Sequence, residues 1–416
     1  MADLTPNCER LQRTIDELGT FGYKEGLGVT RPSLSAEDTA ARRYVIGLMV
    51  EAGLRVHVDA VGNIIARRAG ADESAPPVAT GSHIDTVVQG GKYDGMLGVL
   101  GGIEVARLLD EAGLLTRHPL EIIAFTGEEQ GGFRAGTKGS RAMAGKLTKE
   151  HLQSWRDDKG VTFWDALAAA GYHPELLAEA VRPPGSLKCF IELHIEQGRV
   201  LEGAGKRLGV VTAIAGITQY RVRLRGRADH SGATPMGLRR DALCGAAEVV
   251  LAVERLAEAE AASGTVGTVG DVRVSPGATV IVPGEVQLWL DARGVDDAAK
   301  GRVLAGVDAT LLSVCQRRGL AYEREVLIDE QALPMDGEVV AALRAACEKV
   351  GVEPLLLPSG ANHDARHMAA IAPAGMLFVP SVGGISHAPE EFTRSEDVCL
   401  GVQALAEALV ALAGIA

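Results

Sequence analysis

Short apolar runs alternating with amphipathic helical stretches constrain this chain more than any other feature. VGNIIAR (61–67), PPVATGS (76–82) and LEIIAFT (120–126) have the length of buried strands, and LGVLGGIEVARLLDEAG reads as a helix between the last two. Ahead of them, SAEDTAARRYVIGLMVEAG has Ser35 as N-cap and Asp38 three residues later. Ala41, Tyr44, Val45, Leu48 and Met49 share one face of that helix, and Gly53 can end it. Strands alternating with helices predict an α/β domain with a mainly parallel sheet. In such sheets ligands sit beyond the carboxyl ends of the strands, so the residues just after each run matter most.

The pattern changes after about residue 213. Tyr220, Val222 and Leu224 alternate with Arg221, Arg223 and Arg225, the signature of a strand with one buried and one wet face. A helix near 241–262, the strand-like TVGDVRV and EVQLWLDAR, a helix near 296–318 and YEREVLI complete the order β-α-β-β-α-β of a ferredoxin-like unit. From about 329, helical EVVAALRAACEKVG and strand-like GMLFVPS resume the first style. The expected architecture is a discontinuous α/β domain, 1–212 and 329–416, with a small α+β domain, 213–328, inserted into it. Residues 143–181 read as a local helical excursion.

A length of 416 residues with 47% hydrophobic and 23% charged residues permits a large core and excludes a disordered or disulfide-scaffold chain. The net charge of −12 repels polyanions, so nucleic acid and anionic membrane are not expected partners. The six cysteines show no CxxC spacing and read as reduced core thiols of a cytoplasmic protein. The N-terminal MADLTPNCERLQRTIDELG has acidic residues and no apolar segment where a signal peptide would need one, and no run has the length of a membrane span.

Five segments place metal-competent side chains after predicted strands or at helix starts: GSHIDT (81–86), YDGMLG (93–98), TGEEQGG (126–132), ELHIEQG (192–198) and GGISHAPEE (383–391). Each alone is weak, since a single histidine is usually structural and a Glu-Glu pair usually solvated. Together they offer His83, Asp94, Glu129, His194 and His387, three imidazoles and two carboxylates, a mixture that suits Zn²⁺ and also Mn²⁺, Co²⁺ or Ni²⁺. The absence of thiolates argues against a structural zinc. Asp85 is placed to accept the second imidazole N–H of His83. Glu128, beside a ligand but not needed as one, is the natural general base for a metal-activated water.

GSHIDTV, DGMLGVLGG, TGEEQGGF, HIEQG, ADHSGATPM, SGANHDA and PSVGGISHAPEE, in that order, resemble the motifs of the N-carbamoyl-L-amino-acid hydrolase (hydantoinase/carbamoylase) branch of the two-metal aminoacylase and carboxypeptidase superfamily. The resemblance runs from about residue 10 to the C-terminus. It implies an amidohydrolase that converts an N-carbamoyl acid to amine, CO₂ and ammonia; related enzymes act on allantoate or β-ureidopropionate. It further implies two divalent ions per subunit, with Asp94 bridging, His83 and His194 completing one site, and Glu129 and His387 the other. Glu128 becomes the acid/base and the insert a lid and homodimerisation domain. His230 would stabilise the oxyanion in the partner subunit's site, and Gln197 would contact the ureido group. Arg293 and the backbone around Gly360, Ala361 and Asn362 would hold the substrate carboxylate. Without the resemblance, His230 reads as a loop histidine and Arg293 as a lid salt bridge.

Two departures fall on the acid-reading side. PGATVIVPG (276–284) has Gly277 and Val280 where the related motif carries asparagines, and SGANHDA has Asn362 where glycine is usual. Three rival readings fare worse. GMLGVLGG does not fit the GxGxxG of a Rossmann dehydrogenase, and Asp94 would repel a pyrophosphate. An aminoacylase or dipeptidase on the same scaffold would differ only in the acyl group. A non-catalytic homodimeric binding module has no use for Glu128 beside a full ligand set.

Overall fold

The computed structural model describes residues 4–133 and 135–416; the first three residues of the N-terminal segment read above lie outside them. The chain forms two units, one running to Thr212 and resuming over Met335–Ala416, the other Ala213–Pro334. The insert ends at 334 and not at 328, because its last long strand runs to Glu330 and Leu333–Pro334 still pairs with Ile214 and Ala213.

In chain order the main elements are α1 (Cys8–Gly19), α2 (Ala36–Glu51), β1 (Arg55–Val58), β2 (Ile64–Arg68), β3 (Val78–His83), α3 (Met96–Glu111), β4 (Leu120–Phe125), β5 (Cys189–Ile195) and β6 (Gly209–Ile214). The insert follows as β7 (Gly216–Arg225), α4 (Ala242–Ala259), β8 (Val266–Ser275), β9 (Glu285–Gly294), α5 (Asp297–Arg318) and β10 (Ala321–Glu330). The first unit then continues with α6 (Gly337–Lys349), β11 (Leu355–Ser359), β12 (Ala374–Val379) and α7 (Ser395–Ala413). The α2 signals act as written: the Ser35 side chain accepts from the Asp38 N–H at 3.1 Å, and Gly53 takes a φ of 71° just past the helix.

The large sheet runs β6-β12-β5-β3-β4-β2-β1, with β11 also on β6. Its central pairs, β12 with β5, β5 with β3 and β3 with β4, are parallel. The flanking pairs β12–β6, β4–β2 and β2–β1 are antiparallel. The sheet is therefore mixed, not mainly parallel as the alternation suggested. The link from β1 to β2 (59–63) is too short for a crossover, and a short link permits only antiparallel pairing. β3, β4, β5 and β12 are buried along their whole length, as expected of a parallel centre covered on both faces. α3 lies on β3, β4 and β5, and α7 packs on α3, α6 and β12.

The insert is a four-stranded antiparallel sheet in the order β8-β9-β7-β10, with α4 and α5 packed on each other and on its strands. That is the ferredoxin-like arrangement, and Tyr220, Val222 and Leu224 lie in its core with Val249, Leu288 and Leu311. The helical excursion packs Leu152, Phe163 and Leu167 into a small core shared with Val61 and Phe133.

The cysteine expectation needs correction. Cys8 and Cys399 form a disulfide between α1 and α7, with Cα atoms 5.4 Å apart, whereas Cys189, Cys315 and Cys347 are buried free thiols and Cys244 is exposed. The pair is 391 residues apart in sequence, so no spacing rule can reveal it. Among the described residues no helix is long and apolar enough to cross a membrane.

Candidate active site

The parallel strands deliver the candidate ligands to one edge. His83 is the last residue of β3, His194 the penultimate one of β5, Glu128 and Glu129 follow β4, and His387 follows β12. Val78 pairs with Cys189 and Thr80 with Ile191, and continuing that register brings His83 level with His194. Their ring centroids are 5.9 Å apart. Asp94 enters from the turn before α3, where Gly95 has a φ of 69° and a Cβ would lie 2.4 Å from the His83 ring. Only glycine lets that turn approach the imidazole so closely.

Asp94 stands between two half-sites. Its Oδ1 is 3.4 Å from His83 Nε2 and 3.1 Å from His194 Nε2, while its Oδ2 is 3.1 Å from His387 Nε2, itself 3.3 Å from Glu129 Oε1. Within each of the groups His83–Asp94–His194 and Asp94–Glu129–His387, the donor atoms all lie within 4.8 Å of one another. Main-chain carbonyls take the Nδ1–H of both buried histidines, Asp85 O at 3.0 Å from His83 and Ile195 O at 2.9 Å from His194. That leaves Nε2 as the atom each ring offers to the cluster.

Burial works to raise the Asp94 pKa, but hydrogen bonds from His194, His387 and His83 outweigh it and hold the carboxyl well below its usual range. His387, bonded to Asp94 and then Glu129, is pushed up to about 10. Imidazole and carboxylate donors, a shared carboxylate and no thiolate fit two divalent ions of the zinc or manganese kind. A buried orphan atom supports the fit: Gln197 Nε2 donates to Asp94 Oδ2 at 2.7 Å while Gln197 Oε1 has no hydrogen-bond partner.

Asp85 is placed near His83 but does a different job from the one expected. Its carboxylate is 3.7 Å from His83 Nδ1, and the hydrogen bond goes to its main-chain carbonyl instead. The carboxylate accepts the main-chain N–H groups of Glu128 and Glu129 at 3.3 and 3.2 Å. The sequence offers the right residue, but which of its oxygens faces the ring is a matter of backbone direction. Glu128 Oε2 is 3.8 Å from His83 Nε2 and lies in neither ligand group. Burial, opposed by His83 and assisted by the charges of Glu129 and Asp364, pushes its carboxyl well above the ordinary range. A carboxylate so placed holds a proton readily, which suits acid/base work.

Several contributors were not singled out from sequence. Glu391 Oε1 accepts the N–H groups of Tyr93 and Asp94 at 3.0 and 3.1 Å. Ser386 donates to Asp94 Oδ2 at 3.3 Å and to Glu391 Oε2 at 2.9 Å. Beneath the cluster, Glu192 takes the Ser82 hydroxyl and the Ala365 N–H, and the His363 ring lies 4.7 Å edge-on from His194. Glu391 and His363 stand inside quoted motifs, but nothing in their spacing separates an orienting group from a ligand.

The residues expected to read the substrate divide between the units. Gln197 stands in the cluster. Gly360, Ala361 and Asn362 follow β11, with the Ala361 N–H bonded to Ser359 Oγ and Asn362 Oδ1 accepting from Arg366 Nε at 2.7 Å. In the insert, His230 is exposed on a two-residue strand paired with Ile281–Val282. Its Nδ1 accepts the N–H groups of Gly232 and Ala233, so the neutral ring carries its proton on Nε2. Arg293 is engaged by Asp291, Nε to Oδ1 at 2.8 Å and Nη2 to Oδ2 at 3.1 Å.

Residues 79–411 match the family model described as Peptidase family M20/M25/M40. A Geobacillus stearothermophilus protein named N-carbamoyl-L-amino acid amidohydrolase is 43% identical over 398 residues, covering 95% of this chain and 96% of its own. A rice protein named ureidoglycolate hydrolase is 40% identical over 410 residues, covering 98% and 85%. A solved hydantoinase/carbamoylase family amidase from Burkholderia multivorans superposes with a TM-score of 0.90 at 37% identity, covering 99% of this chain and 98% of that one.

Proposed function

This chain belongs to peptidase family M20/M25/M40, and on that premise we propose that it is a metal-dependent amidohydrolase acting on the ureido group of an N-carbamoyl-L-amino acid or a related ureido acid. Water adds to the ureido carbon and the C–N bond to the amino-acid nitrogen breaks. The carbamic acid released falls apart to CO₂ and ammonia, so R–NH–CO–NH₂ and H₂O become R–NH₂, CO₂ and NH₃.

The observation that carries this reading is Asp94, whose two oxygens face two separate imidazole sets while Glu128 stands beside them outside either set. His83, Asp94 and His194 would hold one ion, and Asp94, Glu129 and His387 the other. When bound, such a pair supplies polarisation of the ureido carbonyl and activation of water near neutral pH. Glu128, beside the ligand groups but in neither, accepts the proton of the attacking water and returns it to the leaving nitrogen. His230, with its proton on Nε2, is assigned to the oxyanion in the site of a partner subunit, and the insert to lid closure and homodimerisation. Its exposure and its tautomer support this role.

For the substrate acid, Val280 offers no donor, and Asn362 does. We therefore assign carboxylate recognition to Asn362 and the neighbouring Gly360 and Ala361 backbone. A panel of N-carbamoyl, N-formyl and N-acetyl amino acids, allantoate and ureidoglycolate, scored for ammonia and amine release, tests the reading. Turnover confined to N-acetyl substrates would move the protein to the aminoacylase class. Preference for ureidoglycolate would favour the activity for which the rice relative is named.

A further inference from the structure

Lys138 is 1% exposed, and all three donors of its ammonium have main-chain acceptors: Gly127 O at 3.2 Å, Glu129 O at 2.9 Å and Gln130 O at 3.4 Å. The ammonium also lies over the Phe163 ring, with Nζ 5.4 Å from the centroid. Gly127, with a φ of 64°, leaves the room this requires, since a Cβ there would come within 3.2 Å of Lys138 Cδ and Nζ. The main chain beside it ties into the same loop. The N–H groups of Thr137, Lys138 and Gly139 donate to the carbonyls of Glu128, Gly127 and Thr126 at 2.7, 3.0 and 2.7 Å. From the other side, the Asp85 carboxylate accepts the N–H groups of Glu128 and Glu129.

A buried anion thus holds the loop by its N–H groups and a buried cation holds it by its carbonyls. Two adjacent glutamates on an unbraced loop would be free to exchange places, whereas the proposed chemistry needs one as ligand and the other as proton carrier. We propose that Lys138 is a positioning residue for the reaction, clamping main chain 127–130 against Asp85 so that Glu129 faces the ligand cluster and Glu128 the reacting water. The inference rests on the proposed amidohydrolase reading for its catalytic consequence, but not for the clamp itself. Burying an ammonium is costly unless every donor is satisfied. A lysine used only to fill space beside Phe163 would be better replaced by methionine.

The test uses the full-length enzyme at saturating metal, with Lys138→Met retaining the stem and removing the donors. kcat on the best ureido substrate is expected to fall about 30–100-fold with KM almost unchanged, the size of effect that a displacement of about 1 Å produces. Deuterium uptake is expected to rise at amides 127–130 and not along β4. Unchanged kcat in a variant that merely melts earlier, or a rise in KM alone, overturns the proposal, since a purely structural staple predicts the first and a substrate contact the second. Should the methionine variant not fold, Lys138→Gln retains uncharged donors and is expected to show an intermediate kcat; wild-type turnover in that variant overturns the proposal equally. A wild-type enzyme inactive on every ureido compound would defeat the functional reading, while the exchange measurement still decides whether the clamp exists.

Discussion

Arg366 Nε donates to Asn362 Oδ1 at 2.7 Å. An arginine nitrogen cannot accept, so the amide oxygen must face it and the Asn362 NH₂ is turned the other way, available as a donor. Asn362 is therefore oriented as an amide that donates to a carboxylate would need to be. A hydrogen bond to a charged group is worth about 1.5–3 kcal/mol, so Asn362→Gly and Arg366→Met are each expected to raise KM for a free N-carbamoyl acid about 10–100-fold. The amide-capped analogue should change much less, and Val280→Asn should restore part of the loss. Equal KM changes for acid and capped substrate would show that Asn362 does not read a carboxylate.

Glu128→Gln is expected to keep both metal ions and lose about 10²–10⁴-fold in turnover, the usual weight of general acid/base catalysis. Elemental analysis beside steady-state kinetics checks it. Loss of metal in this variant would mean that the two adjacent glutamates have exchanged roles.

Removing the metals should cost stability as well as activity. Without ions, Asp94 and Glu129 are held together with three imidazoles by mutual hydrogen bonding, and ions bound only to the folded state add RT ln(1 + [L]/Kd), about 2.7 kcal/mol at a hundredfold excess over Kd. A strong chelator is expected to abolish turnover and lower Tm, both reversed by Zn²⁺, Mn²⁺, Co²⁺ or Ni²⁺. Full activity after metal-free dialysis would remove the dinuclear reading.

If His230 serves the partner's site, mixing inactive His230→Ala with inactive Glu128→Gln should recover activity in heterodimers, where one site draws intact parts from both chains. Mass spectrometry confirms subunit exchange and ammonia release reports the recovery. Exchange without recovery would assign His230 to its own subunit or to no catalytic role.

Asp38, 1% exposed, has its carboxyl raised to about 6 by burial, against which Arg42 pulls in the other direction. The folded pKa lies above the unfolded value of 3.8, so the folded state binds the proton more tightly. The stability this confers is complete below about pH 4 and is lost as pH rises through about 6, a change of about 3 kcal/mol for two pKa units. Asp38→Asn escapes the loss. Its stability relative to the wild type, measured by urea titration, should rise between pH 4 and pH 7. A difference constant across that window would show that Asp38 does not titrate abnormally.

Much of the candidate site was readable because the residue types that can hold a metal are few. His83, Asp94, Glu129, His194 and His387 all stand in short motifs next to strands, and a strand end limits where a side chain can go. The β-α-β-β-α-β order of the insert and the α2 cap were equally legible, since both depend on local periodicity and nearby hydrogen bonds. Glu391, Ser386 and His363 were not distinguished, because an orienting carboxylate and a ligating one have the same chemistry until distance separates them.

The sequence by itself determined the classes of element and the donor types of the candidate site, since these follow from local backbone preference and donor chemistry. Tertiary structure alone decided that Cys8 meets Cys399, that the carbonyl and not the carboxylate of Asp85 faces His83, and that Lys138 reaches three carbonyls of the Glu128 loop. Each of these depends on where the packed chain brings distant or oppositely directed groups, and sequence spacing carries no record of those distances or directions.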